Sequence, residues 1–388
     1  MNDRPAHQPP AQPSRRPPAQ PPGPPPVQPA AQITACGQPP VVTGRRSPVP
    51  GAGQELVRVL AAPITPLDLL CASGTSYFGT PALPYVPGVQ GVGSVGGRLV
   101  WFPTPAGMAA GDGSMAGLAV VRGEDLVDLP ADSDPFAMAA LGLSAVAAYM
   151  ALTWRGELAR GEQVVVLGGG GVVGQAAIQL ARLAGARRVV AAARSADGIQ
   201  RARSAGADAV IPLRPVAATS TATGAVDSRS DARAHADDPR PDAEAVADDP
   251  RPDAQVVARK VDDLARRLAA ACDGPADLVL DPLYGIPAAA AARTLREGGR
   301  LVNLGGSASE TCPLDSATLR SRSLRVLGYT NNELTREQRA AAITYLAQQS
   351  AAGRLRVAHE VVPLAEAADA WQRQASGATS GRIVLHTG

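Results

Sequence analysis

The chain contains few aromatic residues, cysteines and histidines. Of its 388 residues, twelve are aromatic, four are cysteine and four are histidine. Cys36, Cys71, Cys272 and Cys312 show no CxxC spacing. We therefore interpret the cysteines as reduced thiols rather than disulfide partners or metal ligands, and expect no metal site.

Two further absences exclude classes of partner. The 37 basic and 35 acidic residues are balanced and form no basic stripe, so we expect no nucleic-acid partner. The apolar stretches, such as residues 163–167 and 139–152, are shorter than the roughly 20 residues that cross a bilayer. The N-terminus is proline-rich where a secretory signal would be apolar. These features favour a cytoplasmic protein without a membrane partner.

Proline marks two segments that lack the apolar residues needed for a core. Fourteen of the 36 prolines lie in residues 1–40, which predicts a disordered tail that is either simply solvated or a polyproline ligand. Residues 215–255 contain ADDPRPDA twice and carry nine acidic residues against four arginines. They are predicted to be a disordered acidic insert, either a plain loop or an interaction segment.

The remaining sequence shows two patterns. Short β-like runs broken by Gly and Pro predict a barrel-like module over residues 41–136. Over residues 137–333, apolar strands alternate with helices, which predicts βαβ units in a doubly wound parallel sheet. The six predicted strands are residues 163–167, 188–193, 208–211, 277–281, 300–304 and 324–328.

A glycine-rich turn follows the first of these strands. In VVVLGGGGVVG, the glycines Gly168, Gly169, Gly171 and Gly174 satisfy both GxxGxxG and GxGxxG, and Val172 and Val173 begin a helix. Glycine allows the sharp turn, the close approach of a pyrophosphate and tight helix–strand packing. The free N–H groups of the helix then bind the diphosphate. This context predicts a dinucleotide site rather than a merely structural turn.

The end of the second strand indicates which dinucleotide is bound. An NAD site would have Asp or Glu there for the ribose 2′-hydroxyl, but Arg194 and Ser195 follow Ala193. A guanidinium attracts a 2′-phosphate, which predicts NADP(H). Arg201 is a second candidate, and the alternative is that Arg194 is an ordinary surface arginine.

These segments resemble the medium-chain dehydrogenase/reductase superfamily, in its zinc-independent quinone oxidoreductase-like branch. The resemblance rests on ELVRVLAAPITPLDLL, LPYVPGVQGVGSV, the glycine-rich turn, ADLVLDPLYG, GGRLVNLGGSA and GATSGRIVLH. It implies an α/β fold with a GroES-like β-barrel catalytic domain at 41–136 and 334–388. A Rossmann NADP(H)-binding domain at 137–333 and a homodimer joined through residues 323–329 are also implied.

The resemblance includes the positions of the zinc ligands. Zinc-dependent members carry Cys after the second strand and a His-Glu pair after Pro-Gly. In this chain the position of the Cys falls at Thr65 and Pro66, and the His-Glu pair is replaced by Val89 and Gln90. Threonine, valine and glutamine do not replace thiolate or imidazole ligands of zinc. We therefore expect no catalytic zinc.

The resemblance also implies a reaction, the transfer of hydride from NADPH to a quinone or an activated alkene, a small-molecule substrate. Tyr77 is the candidate hydrogen-bond donor, or a loop aromatic that packs on the barrel. Thr65 lies in the same region of the sequence and is a further candidate. Asp68, three residues later, is expected to be a structural hydrogen-bond acceptor. Ser144 is one turn before Ala147, where the family often has threonine. Gly305 and Gly306 are expected to let the backbone approach the nicotinamide. The alternatives are a nucleotide sensor or scaffold that has lost the chemistry and, more distantly, a zinc alcohol dehydrogenase.

Overall fold

The computed structural model describes residues 26–214, 254–379 and 381–388. Its strands, in chain order, are β1 (Val27–Gln32), β2 (Val41–Arg46), β3 (Gln54–Pro63), β4 (Gln90–Val95), β5 (Arg98–Pro103), β6 (Leu118–Arg122), β7 (Val127–Asp128), β8 (Gln163–Leu167), β9 (Arg188–Ala193), β10 (Ala209–Pro212), β11 (Ala276–Asp281), β12 (Leu295–Asn303), β13 (Arg325–Gly328), β14 (His359–Pro363) and β15 (Arg382–His386).

The helices cover both faces of one sheet and flank the other. They are α1 (Pro66–Ser73), α2 (Pro135–Met150), α3 (Val172–Leu183), α4 (Ala196–Ser204), α5 (Ala254–Ala271), α6 (Gly285–Ala292), α7 (Ser316–Ser321), α8 (Arg336–Ala351) and α9 (Ala367–Ser376). A π-helical turn, Ala151–Arg155, extends α2.

The six predicted strands form one parallel sheet in the order β10-β9-β8-β11-β12-β13. Alternate residues of β8 enter different cores. Val164 and Val166 pack with α2 and α3, whereas Val165 and Leu167 pack with α5 and α6. This is the burial expected of a strand covered on both faces. The predicted doubly wound Rossmann domain is confirmed.

The second sheet has the order β14-β15-β3-β4-β5-β7, with β6 paired to β3. The last two strands of the chain therefore lie in the same sheet as the N-terminal strands. Along β3, Val57 and Val59 are buried while Arg58 is exposed, the alternation of a sheet with one face on a core. The α/β fold, with a β module beside a Rossmann domain, is as predicted.

Helix α2 connects the two modules and is broken at Gly142, which has φ 28° and ψ −133°. At the break, Leu143 N donates to Gln90 Oε1 at 2.7 Å, and Trp101 Nε1 donates to the same oxygen at 3.0 Å. Gln90 is 1% exposed. The barrel thus satisfies the backbone N–H that the helix break releases.

The apolar segment at α2 is longer than the sequence indicated. The helical stretch Pro135–Arg155, counted across the break at Gly142, has 21 residues and a mean hydropathy of 1.8 over its most apolar part, enough in length and composition to cross a membrane. The expectation that every apolar stretch is too short was wrong for this helix. Two thirds of that part is buried inside the protein, as in a core helix.

The predicted N-terminal tail, residues 1–40, is too long. Val27–Gln32 forms β1, which pairs antiparallel with β2. Ala30 and Ala31 are completely buried, and Ala31 N donates to Met115 O at 2.9 Å. Alanine, proline and glutamine give little strand signal, so tertiary pairing determines this strand. Residues 1–25 lie outside the described residues. So does the predicted insert up to residue 253, whereas residues 254 and 255 belong to α5.

Replacing Gly142 by alanine tests the helix break. A Cβ there would lie 2.6 Å from Gln90 Cδ, at a φ that L-residues rarely adopt. We expect Gly142→Ala to lower the free energy of unfolding by about 2–4 kcal/mol, since it adds backbone strain and displaces Gln90. Urea unfolding measures the change. Gly123→Ala is the control, because its Cβ would meet nothing closer than 3.5 Å. Equal effects of the two changes would contradict the account.

Candidate functional site

The glycine-rich turn has the close packing that its sequence predicts. Gly168 has φ 66°, and a Cβ on Gly174 would clash with the Gly168 carbonyl and lie 2.6 Å from Gly169 Cα. At Gly171, the N-cap of α3, the nearest atom to a Cβ is Gly168 O at 3.5 Å. Gly168 and Gly174 are therefore required by the fold, whereas Gly171 leaves space above the helix N-terminus. Val172 and Val173 form the first turn of α3.

The carbonyl of Gly170 connects this turn to two other parts of the molecule. It accepts from Arg201 Nε at 2.9 Å and from Gln175 Nε2 at 3.1 Å. Gln175 Oε1 in turn accepts from Ala358 N, just before β14. Gln179, one helical turn further on, exchanges hydrogen bonds with both backbone groups of Arg356.

The predicted cofactor-selecting residues lie beside the same turn. A Cβ on Gly170 would clash with Gly198 in the first turn of α4, so the turn and α4 are in direct contact. Ser195 caps α4 by accepting from Gly198 N at 3.1 Å, and Arg194 is exposed immediately after β9. The Arg201 guanidinium is held at the turn itself. The open N-terminus of α3 and the Arg201 guanidinium therefore belong to one turn, as binding of a phosphorylated dinucleotide requires. The role of Arg194 stays a prediction.

The loops after β11 and β12 lie at the same end of the parallel sheet as the glycine-rich turn. Asp281 is completely buried and accepts from Leu283 N at 2.9 Å, Tyr284 N at 2.8 Å and Asn303 Nδ2 at 3.0 Å. Burial raises the pKa of Asp281, and these hydrogen bonds oppose the shift.

The structure supplies a packing reason for Gly305 and Gly306. Cβ atoms there would lie 3.2 Å from Pro282 O and 3.0 Å from Ser309 O, respectively. Their approach to a nicotinamide stays a prediction.

The Thr65 hydroxyl forms a hydrogen bond within the protein. Thr65 is the N-cap of α1, and its Oγ1 donates to Asp68 Oδ2 at 2.6 Å, while Thr65 N donates to the same oxygen at 2.8 Å. Asp68 Oδ1 accepts from Gly88 N and Val89 N at 3.0 and 2.8 Å. Burial raises the pKa of Asp68, and these bonds oppose the shift. Because all four groups donate, the site fits the ionised carboxylate. The structural role predicted for Asp68 agrees with these contacts.

A buried arginine joins Ser144 to the backbone just before Thr65. Arg382, on β15, donates from Nη1 to Ile64 O at 2.8 Å and from Nη2 to Ser144 Oγ at 3.0 Å. Burial lowers the pKa of Arg382 to about 10, and the charge of Asp68 opposes the shift, so Arg382 stays protonated at neutral pH. Since guanidinium only donates, Ser144 accepts in this contact and its own hydrogen is not used there.

Tyr77 occupies an exposed loop after α1. Its side chain is 74% exposed, and its ring packs on Phe78 with centroids 4.3 Å apart. The phenol therefore faces solvent, whereas Arg382 connects Ser144 to Ile64, the residue before Thr65. A role of Tyr77 as donor stays a prediction.

The structure also shows a large cavity beside these groups. It has a volume of about 720 Å³, and Leu67, Val89 and Leu143 belong to its wall. Leu67 lies between Thr65 and Asp68, and Leu143 precedes Ser144. The cavity wall thus includes sequence neighbours of Thr65 and Ser144, and the cavity volume is within the range typical of ligand sites.

The residues at the zinc positions do not fit a zinc ion. The Val89 side chain has no donor atom, and Gln90 Oε1 already accepts two hydrogen bonds. Among residues 26–214, 254–379 and 381–388, no three His, Cys, Asp or Glu side chains are grouped closely enough to hold a metal. No step of the reaction is therefore assigned to zinc.

Sequence reasoning missed Arg382 and the contacts of Gln90. A single arginine in the apolar strand Arg382–His386 was the available signal, because charged residues in such strands are seldom buried without partners. The TPLD segment of Thr65 and Asp68 likewise has the spacing of a capping box.

The turn, its arginines and the adjoining barrel define a two-domain dinucleotide-binding protein. Two family models, both described as zinc-binding dehydrogenase, match residues 172–240 and 252–385. Quinone oxidoreductase of Pongo abelii is 33% identical over 44% of this chain and 53% of its own length. Mitochondrial enoyl-[acyl-carrier-protein] reductase of Xenopus tropicalis is 34% identical over 42% of this chain and 49% of its own length.

A solved structure of Thermus thermophilus quinone oxidoreductase, also determined with NADPH, has 25% identity and a TM-score of 0.69, covering 92% of this chain and 99% of that one. The chain belongs to the medium-chain dehydrogenase/reductase superfamily and is quinone oxidoreductase-like. It spans about half the length of the curated relatives it matches.

Substitution of Thr65 tests its capping role in α1. We expect Thr65→Ala to lower the melting temperature by about 2–6 °C, because α1 loses its cap and Asp68 loses a donor. Thr65→Ser keeps the hydroxyl and should retain most of the stability. Thermal unfolding followed by circular dichroism measures both variants. Unchanged stability of Thr65→Ala would contradict the capping role.

Proposed function

We propose that this oxidoreductase transfers hydride from NADPH to a quinone or an activated alkene, without zinc. The glycine-rich turn carries the proposal, because it leaves the N-terminus of α3 open and its Gly170 carbonyl binds Arg201, while Arg194 follows β9. The relatives support the acceptor class, since they are named quinone oxidoreductases and enoyl reductases.

The protein's part in this reaction is binding and orientation. NADPH supplies the hydride when it is bound. The α3 N-terminus and Gly171 receive the diphosphate, while Arg194 pairs with the 2′-phosphate. The wall formed by Leu67, Val89 and Leu143 holds the acceptor and excludes water.

Ser144 is the side chain best placed to stabilise the oxygen of the acceptor. Its Oγ accepts from Arg382, so its hydrogen can be donated to an oxygen on which negative charge develops. Thr65 is less suited, because its hydroxyl donates to Asp68.

NADPH oxidation with quinones, enones and enoyl thioesters tests the function and the cofactor preference together. We expect turnover with at least one acceptor class, and more slowly with NADH. Arg194→Gln should raise the dissociation constant of NADPH about tenfold or more and leave that of NADH within about twofold, because only NADPH carries the 2′-phosphate.

Arg203→Gln is the matched control, because Arg203 is an exposed arginine on the same helix as Arg201. Binding of NADPH without turnover of any acceptor would contradict the proposed reaction. An unchanged preference in Arg194→Gln would remove the role of Arg194.

We also propose a homodimer joined through β13, as the resemblance implies. β13 is at the end of its sheet, and Val326 on it is 41% exposed. A strand edge of this kind can pair with a second chain.

Val326→Lys should convert the dimer to a monomer in sedimentation analysis, because a charge on the strand opposes pairing. Val361→Lys is the control, since Val361 is 45% exposed on β14, at the end of the other sheet. A wild-type monomer, or a dimer that survives Val326→Lys, would contradict the interface.

A further inference from the structure

The cavity extends from Leu143, the neighbour of Ser144 in the chain, to a group of arginines. Its inner wall includes Leu67, Val89 and Leu143, and its outer wall includes Arg45 and Arg46 of β2. Val86 and Met108 add apolar surface. A ligand that filled the cavity would therefore be apolar along part of its length and reach a cationic region.

The charged side chains of the wall have an excess of positive charge. Four arginines and two aspartates line it: Arg45, Arg46, Arg122, Arg339, Asp112 and Asp125. Arg45 pairs with Asp112 at 2.7 Å. Arg122 and Arg339 share Asp125, at 2.7 and 3.6 Å, and Arg336 approaches the same carboxylate at 3.4 Å. Both aspartates are thus already paired.

Arg46 differs from the other three arginines of the wall. Its side chain is exposed, and it forms no ion pair or hydrogen bond with any residue in the described part of the chain. Its neighbour Arg45 is held by Asp112 and by Gln32 Oε1 at 3.2 Å. An unpaired guanidinium at the edge of a partly apolar cavity is suited to hold an anionic group through two parallel hydrogen bonds.

We propose that the acceptor reduced by this protein carries an anionic group, a carboxylate or a phosphate, which Arg46 binds at the outer end of the cavity. This inference rests on the proposed function, since it names the substrate class of the same site. Simple quinones and enones lack such a group. They would bind through the apolar wall alone and fill only part of about 720 Å³.

Two pairs of acceptors test the proposal and distinguish the two anions. The carboxylate pair is 4-carboxycinnamaldehyde and its methyl ester. The phosphate pair is crotonyl-4′-phosphopantetheine and crotonyl-pantetheine. Steady-state kinetics with saturating NADPH gives kcat and KM for each acceptor, with the wild type, Arg46→Gln and the control Arg58→Gln. Arg58 is an exposed arginine of the same module that lies outside the cavity wall.

In at least one pair we expect KM for the anionic member to be about tenfold lower than for the neutral one in the wild type. Arg46→Gln should abolish this difference with kcat unchanged, and Arg58→Gln should retain it. The preference should also weaken in high salt, because Arg46 is exposed. The pair that responds identifies the anion.

Equal KM values within both pairs, or a preference that survives Arg46→Gln, would overturn the proposal. If no acceptor is reduced, the proposed function fails separately. Calorimetry then gives the dissociation constants of the same four compounds for the wild type and Arg46→Gln. Tighter binding of the anionic member by the wild type alone would support binding of the anion by Arg46, and equal binding would contradict it.

Discussion

The arrangement of the two domains depends on the carboxamide of Gln90 at the break in α2. A helix that packs on both the barrel and the Rossmann domain must change direction between them, and Gly142 permits the change. The break releases the Leu143 N–H, which Gln90 Oε1 accepts from inside the barrel. Asn331 adds a bond from its Nδ2 to Leu143 O at 3.0 Å. Leu143 is therefore fixed at the cavity wall by groups from both domains.

The buried charges beside this break serve orientation more than stability. Arg382 and Asp68 are both almost completely buried, and Arg382 Nε has no hydrogen-bond partner among the described residues. Burying charged groups is costly and is only partly offset by their attraction. What the arrangement provides is a fixed position for Ser144 and a capped α1.

Local sequence signals were sufficient for the Rossmann domain and insufficient for the contacts of the site. Val164 to Val166 and Val279 to Leu280 are apolar runs, so their strands could be recognised from a few neighbouring residues. Strand β1 lacks such residues and depends on pairing with β2. The Arg382–Ile64 bond joins residues 318 positions apart, and Gln90 and Leu143 are 53 apart. Contacts of that kind follow from the packing of the two domains and leave no local pattern.

The two glutamines on α3 join the Rossmann domain to the segment before β14. Gln175 and Gln179 form three hydrogen bonds with the backbone at Arg356 and Ala358, and Gln175 also contacts the glycine-rich turn. A rigid-body rotation that separated the domains at this edge would break all three, at about 0.5–1.5 kcal/mol each. Rotation about an axis through this edge would keep them. The hinge of such a motion would lie next to the glycine-rich turn, because Gln175 contacts both that turn and Ala358.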